Sequence, residues 1–128
     1  MGANGSYANG STNTDSGQNY KTVASIGDNI KILEPKRGKD GIKLPEESHT
    51  TNRIYATFYK DGHDVKAIAQ YGDDGKKLYE IHTIDHKGLG VHYHVWENGR
   101  PVEGKVYSLT EDMKKLLDKV RNFGKQDD

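Results

Sequence analysis

The chain has 128 residues, 32% of them hydrophobic and 30% charged, with fifteen glycines. That suffices for one domain with a small core, and nineteen basic residues balanced by nineteen acidic ones argue against a surface built to neutralise a nucleic-acid backbone. Cysteine is absent, which excludes disulfides, thiolate catalysis and cysteine-ligated zinc.

The charge balance hides no local excess: six basic and six acidic residues lie up to Asn52, thirteen of each after it. The N-terminus lacks a secretory pattern, and no run approaches the roughly 20 apolar residues of a membrane span. A cytoplasmic protein with no membrane contact is expected. Residues 1–20, MGANGSYANGSTNTDSGQNY, cannot bury enough apolar surface to offset their ordering entropy. They read as a flexible arm, with Tyr7 and Tyr20 as anchors if it orders on a partner, ahead of a single domain over 21–128. In TVASIGDNIKIL (22–33), β-branched residues flank a Gly-Asp-Asn turn signal. EPKRGKDGIKLPEESHTTN (34–52) reads as a loop with one short strand at most, punctuated by Pro35, Asp40-Gly41 and Pro45.

From Arg53 the pattern sharpens. RIYATFY (53–59) places Ile54, Ala56 and Phe58 on one face and Tyr55, Thr57 and Tyr59 on the other. VKAIAQY (65–71), KLYEIHTI (77–84) and VHYHVWE (91–97) follow, with a short strand near VYSL, separated by Asp-Gly and Asn-Gly turns and by the loop DHKGLG (85–90). This is the signature of an antiparallel meander. The last segment predicts a helix. Ser108-Leu-Thr-Glu111 fits a capping box, Glu111 and Asp112 suit its start and Lys119 and Arg121 its end. Met113, Leu116, Leu117, Val120 and Phe123 fall on one stripe, and Gly124 is the expected stop. The predicted fold is therefore α+β: an antiparallel β-meander of five to six strands, with one C-terminal helix packed on one face.

HTIDHKGLGVHYHVW (82–96) holds four of the six histidines. Residues two apart on a strand share a face, so His92, His94 and Trp96 point one way and Val91, Tyr93 and Val95 the other. The Val/Tyr/Val face suits the helix, which turns His92 and His94 away from it. Two such imidazoles, about 6.5 Å apart along the strand, can reach one cation. His82 on the neighbouring strand joins them if Ile84 pairs with His92, which sets His82 opposite His94. His86 or Asp85, in the intervening loop, can complete a tetrahedral zinc site. The expected metal ligands are His82, His86, His92 and His94, with Asp85 as a further candidate. His49 and His63 lie in turn-like segments and read as structural.

The same cluster suits metal-free acid–base cleavage of RNA, with His92 and His94 as base and acid and Lys87, Arg53 or Arg100 steadying charge. The sequence holds no phosphate-binding loop, nucleophile elbow or HExxH helix. Tyr55, Tyr59, Tyr71, Tyr79, Tyr93 and Tyr107 can stack bases, but in strands they more often fill cross-strand pairs.

The opening MGANGSYANGSTNT, the YKTV at 20–23 and DHKGLGVHYHVWENGRP resemble small proteins encoded by phages and prophages of Gram-positive bacteria, often near head-morphogenesis genes. Tyr55 to Pro101 is more loosely similar to histidine-bearing C-terminal modules of polymorphic toxins, whose DH…HxHxW signature is matched by Asp85, His86, His92, His94 and Trp96. The proline-rich spacer of those modules is here reduced to KGLGV, which argues against an inherited nuclease. The phage resemblance implies a non-catalytic inhibitor acting in the bacterial host cytoplasm, and the histidine cluster makes it a zinc-binding one. Its partner would be a host defence protein, on the pattern of anti-CRISPR proteins that bind an RNA-guided effector nuclease. A ribonuclease of the toxin type and a virion-associated structural protein are the alternative expectations.

Overall fold

The structure, a computed structural model, describes residues 20–35, 44, 48, 52–59, 61–84, 88 and 90–126. Seven strands form one sheet: β1 (Tyr20–Ile26), β2 (Ile30–Pro35), β3 (Ile54–Phe58), β4 (Val65–Tyr71), β5 (Lys77–His82), β6 (His92–Glu97) and β7 (Arg100–Ser108). The strands lie side by side in chain order. An α-helix, α1 (Glu111–Gln126), follows the last of them. The α+β prediction holds, with two additions. The 22–33 segment supplies a complete hairpin, β1–β2. That hairpin joins the rest through a parallel pair, Ile30↔Ile54 to Leu33↔Thr57, whereas every other neighbour is antiparallel. A parallel pair requires a long crossover, and residues 36–53 provide it.

Tyr20, placed by the sequence at the end of the arm, is the first residue of β1 and is buried. The rest of the expected arm, Tyr7 included, lies outside the described residues.

Strand alternation gives the sheet two apolar faces. On the first, Ile30, Ile32, Ala56, Val65, Ile68 and Ile81 pack against Met113, Leu117 and Val120 of α1, the stripe read from the 3.6-residue period. On the second, Tyr20, Leu33, Tyr55, Ala67, Ala69 and Tyr71 pack around Leu44 of the crossover. This second buried layer was not expected. Small alanines on β4 leave room for it, and Tyr55 and Tyr71 meet edge to face at 5.1 Å. Backbone bonds hold the crossover down: Ser48 N donates to the Gly75 carbonyl at 2.7 Å and Asn52 N to the Gly72 carbonyl at 3.1 Å.

Gly75 is the close point. Its φ is +80°, and a Cβ there would collide with the Ser48 carbonyl oxygen. The left-handed backbone alone costs a non-glycine residue about 1–3 kcal/mol, so Gly75→Ala is expected to lose at least that much stability in urea unfolding. An unchanged midpoint would mean that Gly75 is not held in the left-handed conformation.

Bulges in β4 and β5 adjust which side chains face where. Ala67 pairs with Thr57 but Val65 with Phe58, so Lys66 is the extra residue and Val65 turns to the helix side. Gln70 pairs with Tyr79 but Tyr71 with Lys77. Leu78 is then extra and exposed, and Lys77 turns to the second face.

The helix begins two residues later than the capping-box reading placed it. Ser108 ends β7, and Thr110 is the cap: its hydroxyl accepts from Met113 N at 3.2 Å and its carbonyl from Lys114 N at 3.0 Å. Nor does Gly124 stop the helix, which continues to Gln126. A Cβ at Gly124 would come within 2.6 Å of the Phe58 ring, so the glycine serves close approach of helix to sheet. Arg121 grips Asp64, just before β4, through two bonds of 2.8 and 3.0 Å. These bonds hold the Asp64 carboxyl below its ordinary range. No helix among the described residues is long and apolar enough to cross a membrane.

Candidate metal centre

The site lies on β5 and β6, on the face turned away from α1. Tyr79↔Val95 and Ile81↔Tyr93 face the helix, and this apolar pairing excludes a one-residue slip. On the other face His82 then stands opposite His92, and Glu80 opposite His94. The expected pairing, His82 with His94, is displaced by two residues because β5 ends at His82 and leaves Ile84 outside the strand and exposed. A slide of two preserves the face of every side chain, so the three rings still converge. Ring centres are 5.7 Å apart for His82–His92, 5.0 Å for His82–His94 and 5.0 Å for His92–His94. One potential ligand atom from each lies within 4.8 Å of the others. The remaining expected ligands, His86 and Asp85, and Lys87 of the ribonuclease alternative, lie outside the described residues.

The face is not a wet one. His92 is 1% exposed and Trp96 is also buried, while His82 and His94 are half-buried. Hydrogen bonds set the protons on two of the rings. His92 Nδ1 donates to the Gly90 carbonyl at 2.9 Å, so in the neutral ring the lone pair is on Nε2. His82 Nε2 donates to Glu80 Oε2 at 2.7 Å, which puts its lone pair on Nδ1.

Glu80 and Lys77 escaped the sequence reading. Glu80 was visible in principle, since KLYEIH places it two residues before His82 and therefore on the same face. Lys77 was not, because by simple alternation it belongs with Tyr79 and Ile81, and only the bulge at Leu78 turns it round. Its side chain is fully buried, with Nζ 2.5 Å from Glu80 Oε1, 3.3 Å from the Leu44 carbonyl and 3.9 Å from the centre of the Trp96 ring. Burial pushes the Glu80 carboxyl up. The hydrogen bond from His82 and the charge of Lys77 outweigh it and hold the group below its ordinary value, ionised. The same carboxylate, with burial as the larger cause, pushes the Tyr20 hydroxyl up to about 12.

The other candidates lie away from this cluster. Arg100 pairs with Glu97 at the end of β6 away from His92, and Arg53 precedes β3, two strands from β5. His63 stacks on Tyr59 at 4.7 Å and bonds Asp61 in an exposed turn; His49 is not among the described residues. Tyr79, Tyr93 and Tyr107 form a ladder of ring contacts, 5.9 and 5.6 Å between centres. No protein family, curated protein or solved structure matches this chain.

Proposed function

We propose that the protein binds one divalent transition metal ion, zinc by preference, at His82, His92 and His94. It would act as a non-catalytic binding module that presents its β5–β6 connection to a protein partner. The convergence of three imidazoles on one sheet face carries this reading. Three nitrogen donors suit zinc and its neighbours rather than magnesium or calcium. Tetrahedral zinc at about 2.0–2.1 Å needs nitrogens about 3.4 Å apart, which small rotations of the three rings supply. Two of the rings already donate their second N–H, to Glu80 and to the Gly90 carbonyl, as metal-bound histidines ordinarily do.

Acid–base cleavage of RNA is less well supported, because a proton-transferring residue must touch its substrate and His92 is buried. The balanced charge favours a protein partner over nucleic acid. With the resemblance to phage-encoded inhibitors, a host defence protein, such as an RNA-guided effector nuclease, is the partner class proposed.

Elemental analysis of the purified chain is expected to find one zinc ion per molecule. At free zinc 100 times Kd, binding stabilises by about 2.7 kcal/mol, so a chelator should lower Tm by on the order of 10 °C. His94→Ala should abolish that difference. Metal-free protein with a melt indifferent to chelator and to added zinc would end the proposal.

A further inference from the structure

The three imidazoles are one end of a longer polar chain. Glu80 receives His82 on one oxygen and Lys77 on the other, and Lys77 reaches on to the Leu44 carbonyl and the Trp96 ring. The Glu80 side chain is 6% exposed and that of Lys77 is 0% exposed, so this pair is built into the sheet. We propose that Glu80, clamped by Lys77, is a positioning residue for the ion site, holding the His82 proton on Nε2 and so making Nδ1 the ligand atom. The inference rests on the metal-binding reading above and assigns a role that the triad alone does not contain.

The clamp matters because a carboxylate accepts on both oxygens and an amide on one. In Glu80→Gln, Lys77 claims the single amide oxygen, which turns the NH2 group toward His82. A donor facing Nε2 draws the lone pair there and drives the proton to Nδ1, where the ion should sit. If Lys77 is also replaced by methionine, the donor that held the amide oxygen is gone. The oxygen turns back to His82 and restores the binding tautomer.

Zinc affinity of the full chain, measured by competition with a chromophoric chelator, tests this directly. Glu80→Gln is expected to bind 10–100-fold more weakly than the wild type, and Lys77→Met/Glu80→Gln to recover most of that loss. Imidazole 15N shifts of the zinc-loaded wild type should show His82 coordinated through Nδ1 with Nε2 protonated, a readout that needs no variant to fold. Coordination through Nε2, a folded Glu80→Gln that binds like the wild type, or a double variant as weak as the single one would each overturn the role of Glu80 while leaving the triad standing. A wild type that takes up no zinc would remove the triad reading and this inference with it.

Discussion

Replacing Glu80 with alanine is expected to destabilise the protein by about 3–5 kcal/mol, the usual cost of leaving one member of a buried ion pair without the other. The Lys77 side chain has no exposure to solvent. Its contacts with the Leu44 carbonyl and the Trp96 ring survive the change but carry no full negative charge. The ammonium keeps its desolvation cost and loses the Glu80 carboxylate that offset it. The paired replacement Lys77→Met/Glu80→Leu removes both charges together, and it should recover most of the loss for the same reason that apolar substitutes of buried pairs are commonly tolerated. Urea unfolding in the presence of chelator separates this effect from that of the ion. A loss below about 1 kcal/mol in Glu80→Ala, the range of an exposed pair, would mean that the Lys77 charge does not depend on Glu80.

Ile68→Ala is expected to cost about 2–5 kcal/mol, as deletions of buried isoleucine do when the surroundings cannot collapse onto the cavity. Ile68 is fully buried on β4, between Ala56 and Ile81 on the adjoining strands and under the helix residues Leu117 and Val120. Its neighbours sit on hydrogen-bonded strands or on a helix whose cap and Arg121–Asp64 bonds fix its position, so little can move in. Leu78→Ala, at the exposed bulge, should stay within about 0.5 kcal/mol. Equal losses at the two positions, read from urea midpoints, would contradict the assignment of the helix-covered face as the main core.

How far these features were legible depends on the range over which they are encoded. The stripe of Met113, Leu117 and Val120 is a local period, as is the alternation of VHYHVWE, and both could be read directly. The convergence of His82, His92 and His94 was legible by parity: side chains an even number of positions apart on one strand share a face. A two-residue error in register therefore left the cluster intact. The turning of Lys77 was not legible, because a bulge breaks parity and its cause lies in how β4 and β5 end together. The second buried face was hidden for a different reason. Ala67 and Ala69 carry little hydrophobic signal, and Leu44, which packs with them, comes from a polar, proline-punctuated stretch. The parallel pairing of β2 with β3 has no local signature at all.

That parallel pairing also bears on the order in which the molecule assembles. From β3 onward each strand meets its neighbour across a short connection, so this part can zip up through nearby contacts. The β1–β2 hairpin has to be recruited across a wide stretch of chain, and such closures are entropically expensive and slow. Tyr20 arrives with that hairpin and Leu44 with the closing segment, and together they roof the side of the sheet that bears Lys77 and Glu80. The charged pair therefore lies open to water in any intermediate that lacks the hairpin, and the final closure is the event that seals it in.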